Sequence, residues 1–231
     1  MRSKIVTIGI APWGVIKRKE RLVAKDAQIQ YDPHAFGSSS GLGVLNDHHS
    51  YFLLADNGTT SRYGADLHLR QNLEEHLAKG EANVSRKIPV VCAVLEGGTS
   101  TLKAVHQYLT REPKIPVIVC DGSGRASDLI AFASRYLDAD GTLPAEVREE
   151  LLCLISTVFP DAPRTPEQIL EVILECARKR DLVGSQSYLQ LTLSWNRVDV
   201  ARSCLFAGGR HWPIHALHSA MSDALRLNRV S

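Results

Sequence analysis

One unit occurs twice in this chain and constrains its fold more than any other feature. An apolar, β-favouring run enters a glycine turn, and a helical pattern opens at once. The first copy is "VVCAVLEGGTSTLKAVHQYL", from Val90 to Leu109; the second is "IPVIVCDGSGRASDLIAFASRYL", from Ile115 to Leu137. Strand, turn and helix repeated in this order predict a parallel sheet with helices on its faces. In such a sheet the turns after the strands share the carboxyl edge, where open α/β folds bind ligands. Glycines at the mouth of a helix let an anion approach backbone N–H groups that the helix dipole already favours. Gly97, Gly98, Gly122 and Gly124 therefore mark a candidate phosphate cradle. Thr99, Ser100, Thr101 and Ser123 either cap the helices or meet phosphate oxygens, and Arg125 is placed to clamp one bidentately. Glu96 and Asp121 stand where ribose hydroxyls or neighbouring loop amides would engage them. Capping and tight turning explain either loop alone; two loops on one edge bring a nucleotide-type site to equal weight.

The remaining pattern extends the alternation. Strands are predicted at Ile5–Ile10, Tyr51–Ala55, Ile88–Leu95 and Ile115–Cys120, and helices at Ala65–Lys79, Ser100–Leu109 and Ala126–Leu137. The unbroken apolar runs suit strands buried on both faces. After residue 140 strand signals stop. "LPAEVREELLCLISTVF" carries Val147, Leu151, Leu154 and Val158 at helical spacing, and "TPEQILEVILECARKRDL" opens with Thr165 as N-cap and Pro166 at the first helical position. "SYLQLTLSWNRVDVARSCLF" and "IHALHSAMSDALRLNRV" add two amphipathic helical patterns. The expected organisation is an α/β part over residues 1–140 and an all-helical part over 141–231, with a polar loop from Val23 to Asn46. A third contributor to the edge is "LADNGTTSRYGADLHLRQNLEEHL". Here Asp56-Asn57-Gly58 signals a turn after a strand, Tyr63 is available to stack on a base, and Arg70 either meets a phosphate or is simply solvated.

Composition narrows the function classes. Lys and Arg number 27 against 25 for Asp and Glu, so no global field argues for nucleic acid or an anionic membrane. No apolar run approaches the ~20 residues that cross a bilayer, so direct membrane insertion of this segment is not expected. The five cysteines have no C-x-x-C spacing and read as reduced, mostly buried thiols. His211, His215 and His218 fall on one helical face near Cys204, but Pro213 interrupts them and no further ligand completes a zinc pattern. No Walker, G-x-S-x-G or H-E-x-x-H motif occurs, and no metal or required cofactor is expected.

Five stretches in order, "IVTIGIAPWGVI", "FLLADNGTTSRYGADLHLRQNLEEHL", "IPVVCAVLEGGTSTL", "VIVCDGSGRASDLIAF" and "LSWNRVDVARS", resemble the cytoplasmic N-terminal homology region of melastatin-type transient receptor potential (TRPM) cation channels. The resemblance implies a Rossmann-like SLOG sheet, truncated at its N-terminal side, followed by ankyrin-like helical repeats. It implies a place on the cytoplasmic face of a calcium-permeable channel, with the rest of the channel polypeptide and the neighbouring subunits of a homotetramer as partners. In the ADP-ribose-gated member, positions equivalent to Tyr63, Arg70 and Arg125 contact the nucleotide, so an ADP-ribose-like ligand is implied. The family also carries a further segment between the positions of Leu182 and Tyr188, which "DLVGSQSYLQL" passes over. SLOG phosphoribohydrolases resemble P-G-G-x-G-T-x-x-E; aligned on Gly97-Gly98, this chain has Ser100 for the third glycine and Ala104 for the glutamate. That substitution predicts a non-catalytic domain.

Overall fold

A computed structural model describes residues 5–26, 28–31, 42–79, 88–187, 193 and 214–226. The chain forms two compact units, Met1–Pro89 and Val90–Ser231. In the first unit, β1 (Ile8–Pro12) and β2 (Tyr51–Ala55) pair in parallel, Ile8 opposite Tyr51 and Pro12 opposite Ala55. Just beyond β1, Gly14 lies so close to Thr59 that a Cβ would sit 2.0 Å from the Thr59 carbonyl oxygen. Only glycine fits that approach. The expected turn after β2 is present: Asp56 accepts from the Gly58 amide at 2.9 Å and Asn57 from the Thr59 amide at 3.1 Å. Helix α1 (Leu67–Lys79) follows.

The polar stretch between β1 and β2 is tied down where it is described. Gly43 exchanges backbone hydrogen bonds with Val15 and Lys17, both 2.8 Å. The Tyr31 hydroxyl donates to the Lys17 carbonyl at 2.9 Å and accepts from the Leu45 amide at 3.4 Å. Residues 32–41, which hold most of "GSSSGLG", lie outside the described residues.

The second unit runs β3 (Cys92–Val94), α2 (Thr99–Thr110), β4 (Val117–Asp121), α3 (Arg125–Tyr136), α4 (Ala145–Val158), α5 (Pro166–Ala177), β5 (Val183–Ser187) and α6 (Ile214–Arg226). Its sheet is parallel in the order β3-β4-β5. Two expectations are corrected by this sheet. First, the part after residue 140 is not purely helical: β5 pairs with β4 from Val183 opposite Val117 to Ser187 opposite Asp121. Its sequence, VGSQS, has the composition of a turn, and pairing with β4 overrides that weak local preference. Second, burial on both faces is incomplete: on the face opposite Val117 and Val119, Cys120 is buried but Ile118 is exposed. Cys92, Val94, Val117 and Val119 are buried, whereas Val91, Leu95 and Ile118 are exposed.

The core lies between the more buried face and the helices. Val105 and Leu109 of α2, Ile130 of α3, Leu151 and Ile155 of α4, and Leu170 and Ile173 of α5 are all fully buried. Helix α5 packs against α2, α3 and α4. The N-cap predicted at Thr165 forms, and as a capping box. Its hydroxyl accepts from the Gln168 amide at 3.4 Å while the Gln168 side chain accepts from the Thr165 amide at 3.2 Å. Thr165→Ala is expected to lower stability by about 1 kcal/mol, read as a shift in the urea midpoint at constant slope.

None of the four described cysteines forms a disulfide. Cys92, Cys120 and Cys176 are buried and Cys153 is exposed. Burial pushes the Cys176 thiol up to about 12, with the Glu175 charge adding to it, and burial also raises Cys120. Both stay protonated and inert at neutral pH. The helical pattern from Ser187 to Phe206 falls, apart from Ser187 and Leu193, outside the described residues. So do His211, Cys204 and the His215 side chain. Among the described residues no group of three or more candidate ligands is placed to hold a metal ion. No helix there is long and apolar enough to cross a membrane.

Candidate functional site: the glycine edge of the second unit

Because β3 and β4 are parallel neighbours, the turns leading to α2 and α3 emerge side by side. The structure brings together Glu96, Gly97, Gly98 and Thr99 from the first turn with Gly122, Ser123, Gly124 and Arg125 from the second. The backbone is bent into the left-handed region at Glu96 (φ 52°), Gly97 (94°), Gly122 (88°), Gly124 (105°) and Arg125 (53°). Two of these residues are not glycine, and each costs of order 1 kcal/mol in that conformation unless its surroundings hold it.

Three side chains supply that hold. The buried Ser123 hydroxyl accepts from the Glu96 amide at 2.9 Å and donates to the Cys120 carbonyl at 2.6 Å. The Ser127 hydroxyl, also buried, donates to the Val94 carbonyl at 2.7 Å. Asp128 Oδ1 accepts from both the Gly122 amide, at 2.8 Å, and the Gly124 amide, at 2.9 Å. Backbone bonds complete the seam: the Ser127 amide donates to the Glu96 carbonyl at 2.9 Å and the Ala126 amide to the Gly97 carbonyl at 3.2 Å. The second loop thus donates its amides into the protein. The first loop is capped by Thr101, whose hydroxyl accepts from the Gly98 amide at 3.2 Å.

Arg125 is the exposed cation of this edge. Its Nε donates to the Gly97 carbonyl at 3.3 Å, and its guanidinium carbon lies 5.6 Å from the centre of the Phe159 ring. A guanidinium resting on an aromatic face keeps its outer N–H groups free to turn toward an anion. Of the two acids placed to meet ribose hydroxyls or loop amides, Asp121 is engaged in an ion pair with Arg135, and Glu96 is exposed. Thr99 and Ser100 occupy the first turn of α2, half-buried. Tyr63 and Arg70 belong to the first unit. Tyr63 is exposed, and Arg70 Nε pairs with Glu74 at 2.8 Å one helical turn away.

Sequence reading did not single out Ser127, Asp128 or Phe159 for this site. Asp128 had a signal, an acid three residues after Gly-Arg at a helix start. Phe159 had none, because it reads as the last residue of an apolar helical run.

Gly97 has a demand of its own. A Cβ there would lie 2.7 Å from Cγ2 and 2.8 Å from Cβ of Thr101, the residue that caps the loop. Gly97→Ala is expected to cost about 1–2 kcal/mol through strain at positive φ and displacement of the cap. Chemical denaturation of the variant measures it.

Comparison with known proteins decides what this architecture is part of. The family model described as "SLOG in TRPM" matches residues 1–176. The chain belongs to the TRPM channel family. This SLOG segment is 42% identical over 258 aligned positions to a transient receptor potential channel of Caenorhabditis elegans, covering 99% of this chain and 13% of that protein. It is 39% identical over 241 positions to transient receptor potential cation channel subfamily M member 1 of Rattus norvegicus, covering 92% and 15%. It is 34% identical over 257 positions to subfamily M member 7 of Homo sapiens, covering 99% and 14%. The TRPM segment in hand therefore spans about one-seventh of these relatives, all named as channels and none as an enzyme. Each alignment is longer than the 231-residue chain, so the relatives carry residues within the matched span that this TRPM chain lacks. The TRPM resemblance stands; ankyrin-like repeats find no support among the described residues.

Proposed function

We propose that this chain is part of the N-terminal cytosolic region of a TRPM-type, calcium-permeable cation channel, and that it works as a regulatory and assembly domain. Its partners are the remainder of the channel polypeptide and the neighbouring subunits of a homotetramer. Its ligand is an anionic nucleotide of the ADP-ribose class, taken at the glycine edge. The observation that carries this reading is the exposed Arg125 guanidinium, held between the Gly97 carbonyl and the Phe159 ring beside the first turn of α2. A ligand regulates only through different affinities for two arrangements of the assembly, so the domain acts by binding.

The domain is non-catalytic in this reading. The position that carries the supporting glutamate in SLOG phosphoribohydrolases is Ala104, buried in α2. No carboxylate stands there to give general acid–base help. Equilibrium dialysis with ADP-ribose followed by chromatography of the ligand tests the two halves together. Retention of intact ADP-ribose is expected. Release of free adenine, from hydrolysis of the base–ribose bond by water, would replace this reading by a hydrolytic one.

A further inference from the structure

The second glycine loop has the shape of a phosphate cradle, yet the amides of Gly122, Ser123 and Gly124 are already spoken for. Gly122 and Gly124, both at positive φ, turn their N–H groups onto a single atom, Asp128 Oδ1, at 2.8 and 2.9 Å. The Ser123 amide donates to the Cys120 carbonyl at 3.1 Å, and the Ala126 and Ser127 amides donate to carbonyls of the first loop. Successive N–H groups converging at the start of a helix form an anion-binding concavity. In this chain the anion at its centre belongs to the protein.

We infer that the Asp128 carboxylate is the resident anion of the second glycine loop, and that it denies this loop to phosphate. The charge requirement and the donor geometry are those of a phosphate oxygen: two short, charge-assisted N–H bonds to one oxygen at the positive end of α3. A phosphate entering the same place would have to displace a half-buried carboxylate tethered one helical turn away, at very high effective concentration, and would meet its charge at contact distance. The loop therefore serves as a closed scaffold that positions Arg125. Any phosphate held at this edge is directed to the Arg125 guanidinium and the first turn of α2. This goes beyond the nucleotide reading and is independent of it, because it concerns which amides are open.

The test uses inorganic phosphate as probe and the Arg125→Ala background, so that binding at Arg125 does not enter. Thermal unfolding is followed in phosphate and in chloride of matched ionic strength. Arg125→Ala alone is expected to show equal midpoints in the two salts. Arg125→Ala/Asp128→Ala is expected to melt lower in chloride and to regain at least about 3 °C in saturating phosphate, as binding to the folded state alone requires. Recovery of folding in phosphate by a variant that fails to fold in chloride supports the same conclusion. Asp128→Asn keeps an oxygen for both amides, so it is expected to fold and to stay unresponsive. Equal midpoints in both salts for the Asp128→Ala variant, failure to fold in either salt, or a phosphate response in Arg125→Ala alone or in Asp128→Asn as large as that of Asp128→Ala would overturn the inference.

Discussion

Replacing Ile173 with alanine is expected to remove about 2–5 kcal/mol of stability, the cost of deleting a fully buried branched side chain where the surroundings relax only in part. Ile173 is wholly inaccessible and sits on α5, the helix that packs against α2, α3 and α4. Its loss opens a cavity where the sheet-covering helices and the later helices meet. The expected result in urea is one cooperative transition whose midpoint falls while its slope is kept. A cost below about 1 kcal/mol, or a separate transition for residues 141–177, would show that α4 and α5 fold apart from the sheet.

Much of this fold was readable because local preference and final environment agree. Tyr51–Ala55 is a strand as expected, and the strand–glycine–helix units place α2 and α3 to within a residue at their starts. Thr165 and Pro166 open α5 as their types dictate. Strand β5 was hidden because VGSQS carries neither alternation nor β-branched residues beyond Val183; its partner on β4 lies more than sixty residues earlier in the chain. The exposure of Val91, Leu95 and Ile118 was hidden for a related reason. An apolar run states what a strand tolerates, whereas burial depends on which helices arrive.

The site divides along the same line. Glycine spacing disclosed the two turns and Arg125. The state of the turns was set by partners far away in sequence. Ser127 bonds to Val94, 33 residues distant, and Ser123 to Glu96, 27 distant. Asp121, whose place at a strand end suits either a ribose hydroxyl or a neighbouring loop amide, is instead paired with Arg135 near the far end of α3. No local pattern distinguishes an aspartate that will meet a ligand from one that will meet an arginine.

Arg125→Ala is expected to abolish stabilisation of the folded chain by ADP-ribose while leaving its unliganded stability within about 1 kcal/mol, since the lost contacts are one long hydrogen bond and an exposed cation–π pair. Thermal unfolding of the wild-type chain and of this variant, each with and without ADP-ribose, is the most direct measurement of the central claim. A ligand that binds only the folded state at a hundredfold excess over its dissociation constant adds about 2.7 kcal/mol. The wild-type midpoint is expected to rise accordingly and the variant's to stay where it is. A cooperatively melting wild-type chain with no shift, or a shift of equal size in Arg125→Ala, would contradict it.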